Sequence, residues 1–225
     1  MLRYPCLVLD HDDTVVRSED TINYPFFCLF LREHRPGVTV SLAEYTDGCF
    51  REGFAQMCRS RYGFTDRELQ QELEGWKRYL RTHTPPPFPG MDRVIRRQRA
   101  LGGLLCVVSH SSRENITRDY QTHFGLLPDE IFGWDEPEDQ RKPSPYPLEQ
   151  IMARYHLDRS QLLVVDDMRP AWEMASRAGV VIGFAAWGRT HYPQIQKEMR
   201  ALCDFTFESP EMLEHFLFDP LTTMV

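Results

Sequence analysis

The sequence contains no apolar run that approaches the roughly 20 residues a membrane-spanning helix requires. Its N-terminus enters a strand-like pattern directly and shows no signal-peptide pattern. Basic residues are not in excess, since 26 Lys and Arg stand against 33 Asp and Glu and the formal net charge is -7. We therefore expect a cytoplasmic protein whose main partner is neither nucleic acid nor an anionic membrane surface.

The chain also lacks a C-x-x-C pair among its 6 cysteines. Cys6 and Cys106 fall inside apolar runs, where free thiols pack well. This pattern argues against a disulfide framework and a zinc site, and it fits a reducing compartment. We find no internal repeat, and nothing in the sequence demands more than a monomer.

What the sequence does contain is an alternation of short β-rich runs with helical patterns, which is typical of a parallel sheet covered on both faces. The expected strands are Cys6–Leu9, Leu104–Val108, Gln161–Val165, Val180–Phe184 and Asp204–Phe207. The expected helices are Met91–Ala100, Arg113–Phe124, Pro147–Tyr155, Pro170–Ala178 and Pro210–Phe218. The pattern predicts an α/β fold, a Rossmann-like core of three layers.

Residues 17–84 interrupt this alternation, because they are aromatic-rich and helical in pattern and contain no convincing strand. The proline-rich segment TPPPFPG, Thr84 to Gly90, follows them and is typical of a hinge or linker. We therefore expect a discontinuous core, residues 1–16 and 85–225, with a helical domain inserted at 17–84.

The first strand is followed by two acidic residues at a functional spacing. Asp10 and Asp12 come directly after the apolar run that ends at Leu9, and Thr14 stands two residues further on. Side chains at i and i+2 leave a strand on the same face, so both carboxylates should point into one crevice, whereas His11 and Asp13 should point elsewhere. One aspartate could then act as a nucleophile and the other could transfer protons.

Other chemical groups follow later strands, at the edge where parallel α/β sheets bind ligands. Ser109 and the amides of His110 and Ser111 follow the second run and could hold an anion, and Lys142 could neutralise it. Asp166 and Asp167 follow the next run. Carboxylates that converge in this way need a cation among them, and oxygen ligands favour Mg²⁺.

Each feature taken alone has an ordinary structural interpretation. The paired acids could be a solvated turn, the serines a helix cap, Lys142 a surface lysine and Asp166 with Asp167 an acidic loop. Their order argues otherwise, because each group follows a strand of the same alternating pattern.

These residues resemble the motifs of the haloacid dehalogenase-like hydrolases, most of which are Mg²⁺-dependent phosphatases and phosphotransferases. DHDDT is similar to their first motif, VVSHSS to the second, the lysine of RKPSP to the third, and VVDDMRP to the acidic fourth. The match spans nearly the whole chain. It implies a Rossmann-like core with a helical cap inserted after the first motif, as in the phosphatase and phosphoglucomutase branch.

The resemblance also implies roles for individual residues. Asp10 would attack phosphorus, and Asp12 would protonate the leaving oxygen and then activate water. Thr14 and Ser109 would position the reacting groups, and Lys142 would balance their charge.

The metal assignments come from the same resemblance. Mg²⁺ would be held by Asp10, the carbonyl oxygen of Asp12 and Asp167, with Asp166 assisting. The further acid that some relatives carry after Asp167 is absent, since Ala171 stands there.

Two residues of the first motif differ in their expected roles. Asp13 occupies the place where the family usually has glycine, and its side chain would make a helix or flap contact. We favour packing over metal binding for His11, because its side chain should face away from the two acids.

We expect the protein to hydrolyse a small phosphorylated metabolite. Arg51, interpreted as a loop residue of the inserted domain, is a candidate substrate-binding residue, with surface solvation as an equal alternative. A phosphomutase of the β-phosphoglucomutase type would use the same core. A non-catalytic ligand-binding protein on this fold is the remaining alternative.

Overall fold

A computed structural model describes residues 2–219, which form two compact units. One unit comprises residues 1–16 and 87–225, of which the described part carries the sheet, and the other comprises residues 17–86. Within residues 2–219, no helix combines the length and the apolar character that a membrane crossing needs. The 6 cysteines all lie in this part of the chain and are free thiols.

The sheet unit is built around 6 parallel strands in the order β3-β2-β1-β4-β5-β6. The strands are β1 Cys6–Leu9, β2 Leu104–Val108, β3 Glu130–Phe132, β4 Leu162–Asp166, β5 Val181–Ala185 and β6 Phe205–Phe207. Strands β2 and β3 follow β1 towards one edge of the sheet, and β5 and β6 follow β4 towards the other edge. The topological switch point therefore lies between β1 and β4. Ligands bind outside the carboxyl ends of the strands at such a point.

Helices cover both faces of the sheet. They are α5 Met91–Ala100, α6 Arg113–Phe124, α7 Tyr146–Tyr155, α8 Arg169–Ala178, α9 Pro193–Leu202 and α10 Pro210–Phe218. Leu7 and Leu9 pack in one apolar core with residues of α5, α6 and α10. Cys6 and Val8 pack in a second core with residues of α7 and α8. Because alternate side chains of β1 are buried on opposite faces, the strand is apolar at every position.

The predicted three-layer α/β fold is therefore confirmed. One strand and one α-helix of this unit escaped the sequence analysis, namely β3 and α9. β3 has only 3 residues and α9 begins at a proline in a polar stretch, so neither shows a strong apolar pattern.

The second unit, residues 17–86, contains four α-helices: α1 Tyr24–His34, α2 Leu42–Glu52, α3 Phe54–Tyr62 and α4 Asp66–Leu80. Its own core is largely aromatic and centres on Phe27, which is fully buried and contacts the rings of Tyr45, Phe54 and Tyr62. Capping boxes start α2 at Ser41 and α4 at Thr65. These caps satisfy amide groups that a helix N-terminus otherwise leaves without partners.

Candidate active site

The carboxyl ends of β1 and β4 bring two acidic segments together. Asp10 directly follows β1, and its amide donates a hydrogen bond to the Val165 carbonyl oxygen at 3.0 Å. Asp166 is the last residue of β4, and Asp167 follows it. The side chains of Asp10, Asp166 and Asp167 are all buried at this edge of the sheet.

Lys142 connects the two segments. Its Nζ lies 2.8 Å from Asp10 Oδ1 and 2.7 Å from Asp166 Oδ2, and only 7% of the residue is exposed. Burial alone would lower the pKa of this amine, but the two carboxylates outweigh burial and raise the pKa. Lys142 is therefore a charged ammonium group at neutral pH, held between two carboxylates.

Carboxylate oxygens of Asp10, Asp166 and Asp167 lie within 4.8 Å of one another, close enough to ligate one metal ion. Burial, with the nearby Asp10 charge, raises the pKa of Asp166 well above its usual value. Lys142 contacts two of these three acids, and a metal ion would add positive charge to the cluster. Its oxygen donors suit Mg²⁺, so these residues fit the metal that the sequence predicts.

The loop after Asp10 departs from strand geometry. Asp12 is half-buried, and Asp13 has a left-handed backbone with φ 56°. The Asp13 carboxylate lies 3.5 Å from Nη2 of Arg189, which also binds Asp167. The expectation that Asp13 points away from the site is therefore wrong, because the period-two alternation ends with the strand at Leu9.

Thr14 closes this loop and is fully buried. Its hydroxyl has no hydrogen-bond partner within residues 2–219. Its carbonyl oxygen accepts a hydrogen bond of 3.0 Å from Nε1 of Trp187. Since an unsatisfied buried hydroxyl is costly, the arrangement suits a group that takes up a ligand.

The serines after β2 divide into two roles. Ser112 accepts a hydrogen bond from the Asn115 amide and caps α6. Ser109 is buried, and its Oγ accepts a hydrogen bond of 3.2 Å from the Ser111 amide, which leaves the hydroxyl proton to be donated. Nε2 of His110 donates to the carbonyl oxygen of Lys142 at 3.0 Å. These contacts tie the loop after β2 to the segment that carries the lysine.

His11 contacts α6 through Asp119. It is buried, and Nε2 donates to Asp119 Oδ2 at 3.0 Å. Burial lowers the pKa of His11, but the hydrogen bond to Asp119 and nearby acids outweigh it and raise the pKa. The side chain packs against α6, as we favoured over metal binding.

Arg51 does not lie in a loop, so that part of the sequence interpretation is wrong. It belongs to the last turn of α2, and its Nε donates to Asp47 Oδ1 at 2.7 Å. Gly48 lies inside the same helix, where a Cβ would overlap the Met57 side chain. The glycine allows close packing of α2 against α3.

Sequence analysis missed Arg189, a buried cation of the site. It ends the 3₁₀ turn Ala186–Arg189, which directly follows β5. β5, like β1, β2 and β4, has polar and charged groups at its carboxyl end. The signal was present in AAWGRT, which follows the apolar run at Val180–Phe184.

The haloacid dehalogenase-like hydrolase model matches residues 7–185, which include Asp10, Ser109, Lys142 and Asp166. The chain belongs to this family. The predicted assignment to haloacid dehalogenase-like hydrolases, and with it the prediction of a hydrolytic enzyme, is confirmed.

Solved structures share the fold at low sequence identity. A "predicted phosphoglycolate phosphatase" from Haemophilus somnus is 15% identical with a TM-score of 0.74, covering 96% of this chain and 99% of its own. A haloacid dehalogenase-like protein of unknown function from Agrobacterium tumefaciens is 16% identical with a TM-score of 0.78, covering 95% and 97%. CbbY from Rhodobacter sphaeroides, in complex with xylulose-(1,5)bisphosphate, is 15% identical with a TM-score of 0.69, covering 93% and 95%. No curated protein sequence matches the chain.

Proposed function

We propose that the protein is a Mg²⁺-dependent phosphatase that hydrolyses a small phosphorylated metabolite through an aspartyl-phosphate intermediate. The observation that carries this proposal is the buried Asp10 carboxylate, 2.8 Å from Lys142 Nζ and clustered with Asp166 and Asp167. An anionic nucleophile held beside a cation, at the switch point of a parallel sheet, suits attack on a phosphate ester. Family membership and the phosphatase names among its structural neighbours support the proposal.

The reaction proceeds in two steps. An Asp10 oxygen forms a bond to phosphorus while the bond to the leaving oxygen breaks, and Asp12 gives its proton to that oxygen. Asp12 then takes a proton from water as the water oxygen attacks phosphorus. The bond from phosphorus to Asp10 breaks, inorganic phosphate leaves and the carboxylate is restored. Asp12 suits proton transfer because it is half-buried beside the nucleophile.

The surrounding residues bind and orient the phosphoryl group. The Thr14 and Ser109 hydroxyls donate hydrogen bonds to it, and Lys142 balances its charge. His110 and Ser111 lie just before the N-cap of α6, where the His110 amide would assist anion binding and the Ser111 amide orients the Ser109 hydroxyl. His110 also holds the carbonyl oxygen of Lys142 at 3.0 Å, which fixes the position of the lysine.

Mg²⁺ would be held by Asp10, the Asp12 carbonyl oxygen and Asp167, and Asp166 would assist from its contact with Lys142. When bound, this ion neutralises phosphoryl oxygens and orients them for attack. Asp166 is fixed for this role because its Oδ1 accepts a hydrogen bond of 2.8 Å from the Met168 amide.

We propose that the helical domain, predicted at 17–84 and close to the compact unit 17–86, acts as the cap that selects the substrate. Arg51 is its candidate contact for an anionic group of the substrate. Its exposed pair with Asp47 is weak, so a ligand can displace it at small cost. We further expect a monomeric protein in the cytoplasm, where the free cysteines stay reduced.

The test is phosphate release with Mg²⁺ across a panel of phosphoglycolate, sugar monophosphates and bisphosphates, nucleotides, pyrophosphate and an aryl phosphate. Asp10→Asn and Asp12→Asn are assayed beside the parent, with Asp92→Asn as the control because Asp92 is exposed on α5. We expect turnover to fall by at least about 100-fold in both site variants and to be unchanged in the control.

A ³²P label on the substrate separates the remaining outcomes. Label trapped on the parent and absent from Asp10→Asn supports the aspartyl phosphate. Label moved to another position of a sugar phosphate, with no release of phosphate, would identify a phosphomutase. A folded parent that binds phosphate esters without turnover would identify a binding protein.

A further inference from the structure

We infer that Arg189 is a positioning residue that holds Asp167 in place to ligate the metal ion, and that Asp13 is the counter-ion that makes this cation tolerable. The inference deepens the proposed function and rests on it. Arg189 is 4% exposed, and its Nε donates to Asp167 Oδ2 at 2.6 Å. Its Nη2 lies 3.5 Å from Asp13 Oδ2, so one buried guanidinium joins two acidic segments.

Backbone contacts also fix the turn that carries Arg189. The turn Ala186–Arg189 follows β5, and Trp187 in it donates to the Thr14 carbonyl oxygen at 3.0 Å. Gly188 lies so close to the Asp13 carbonyl oxygen that a Cβ there would overlap it. Trp187 thus contacts Thr14, and Gly188 and Arg189 contact Asp13, in the loop that follows β1. The guanidinium is fixed relative to the loop before any ligand binds.

Arg189 holds Asp167 by one carboxylate oxygen, because Nε donates to Oδ2 at 2.6 Å. A hydrogen bond to one carboxylate oxygen fixes the orientation of the other, which is how outer contacts raise metal affinity. Asp167 belongs to the cluster whose oxygens lie within 4.8 Å of one another, so its orientation decides the geometry of that cluster.

A buried guanidinium beside a metal site could instead compete with the metal for Asp167. Asp13 argues against competition, because its carboxylate lies on the same guanidinium and offsets its charge. Asp13 stands where the resembled motif usually has glycine, and its left-handed φ of 56° is one that glycine adopts freely. Asp13 and Arg189 therefore act as a pair of opposite charges. Beyond its charge, Arg189 contributes a fixed position from which it orients the Asp167 carboxylate.

The two roles predict opposite changes in metal affinity. Mn²⁺ binding, followed by the EPR signal of the free ion, measures affinity without turnover. If Arg189 positions Asp167, Arg189→Met weakens Mn²⁺ binding by about 10- to 100-fold. Arg189→Lys keeps the charge but loses the Nε contact, so it weakens binding too. If Arg189 competed with the metal, Arg189→Met would bind Mn²⁺ more tightly than the parent, and this result would overturn the inference. An Arg189→Lys variant with the Mn²⁺ affinity of the parent would overturn it too.

A double variant covers the case in which the single variant does not fold. Asp13→Gly with Arg189→Met removes both buried charges and restores the residue that the left-handed backbone favours. We expect the double variant to unfold cooperatively on heating, as a folded protein does, and to bind Mn²⁺ more weakly than the parent. Asp13→Gly alone should bind Mn²⁺ more tightly than the double variant. Parent-like affinity in the double variant would overturn the inference.

Arg169→Met is the matched control, because Arg169 lies two residues after Asp167 but pairs with Glu198. Its Mn²⁺ affinity should equal that of the parent. A parent that binds no Mn²⁺ would count against the metal in the proposed function, whereas a parent that binds Mn²⁺ as well as its Arg189 variants do would count against this inference alone.

Discussion

Lys142 is the residue in which folding and chemistry are most closely coupled. It is buried between Asp10 and Asp166 at 2.8 and 2.7 Å, so it balances charge that the core would otherwise bury unpaired. In the proposed mechanism, the same ammonium group balances the charge of an incoming phosphoryl group. A substitution at this residue therefore affects stability and turnover together.

We expect Lys142→Met to lower the free energy of unfolding by about 3 to 5 kcal/mol at neutral pH, because it leaves buried carboxylates without their cation. Turnover should fall by at least about 100-fold. Part of the stability should return on acidification, since Asp166, whose pKa is already raised by burial, then becomes neutral. Urea unfolding at two pH values measures the effect. Lys197→Met, on the exposed side of α9, should match the parent, and equal loss in both variants would contradict the argument.

At the scale of elements, the 3₁₀ turn Ala186–Arg189 has the strictest steric requirement near the site. Gly188 lies against the Asp13 carbonyl oxygen, a main-chain atom that cannot rotate away. We expect Gly188→Ala to displace the loop at residues 10–14, which carries Asp10 and Asp12. Stability should fall by about 1 to 3 kcal/mol, and kcat/KM by about 100-fold, because small misplacements of reacting groups are expensive.

Gly125→Ala separates this steric effect from ordinary backbone strain. Gly125 ends α6 with φ 67° and has open space around it. Alanine there costs about 1 to 2 kcal/mol for the left-handed backbone and should leave kcat/KM unchanged. If Gly188→Ala behaved like Gly125→Ala in both measurements, contact between the turn and the loop would not matter for catalysis.

The sequence predicted the strands whose side chains are buried on both faces of the sheet. β1 and β2 have the predicted bounds, because their runs are apolar at every position and end sharply at polar residues. β3 was missed because 3 residues at the edge of a sheet leave almost no periodic signal. Arg51 was placed in a loop although it lies in α2, whose polar and glycine-containing sequence shows no strong apolar pattern.

The convergence was predictable where a residue lies at the end of a recognisable strand, as Asp10 and Asp166 do, or matches a motif of the resembled family, as Lys142 does. Asp10, Lys142 and Asp166 indeed converge, although roughly 130 residues separate Asp10 from Lys142 in the chain. The Arg189 contact with Asp13 depends on a left-handed turn and on a close approach of two backbones. No rule of spacing predicts such an approach, since it is a property of the folded chain.

At the scale of the whole molecule, pH should affect the stability of the helical unit through Glu72. This carboxyl is buried in α4 and makes no hydrogen bond to another residue within 2–219. Burial raises its pKa from 4.5 to about 7. The folded state therefore binds the proton more tightly than the unfolded state does, and stability falls as pH rises from about 4.5 to about 7.

We expect Glu72→Gln to raise stability at pH 8, by up to about 3 kcal/mol, and to change it little at pH 4. Thermal melting of the full chain across this range provides the measurement. Glu74→Gln is the matched control, because Glu74 is exposed on the same helix and bonded to Gln70. A pH profile that Glu72→Gln leaves unchanged would show that another group governs the stability of this unit.

The chain leaves the sheet unit and returns to it at one place. Val16 and Pro87 form an antiparallel bridge, and the Phe88 amide donates to the Val15 carbonyl oxygen at 2.9 Å. β1 and β2 are neighbours in the sheet, yet residues 10–103 separate them, and their pairing must close that loop. Doubling a flexible loop adds only about 0.6 kcal/mol of closure entropy, and an insert that has already folded with adjacent ends adds less. The length of the insert is thus nearly irrelevant to the assembly of the sheet, and this position can accept inserts of different size without a change in the folding of the enzyme that carries them.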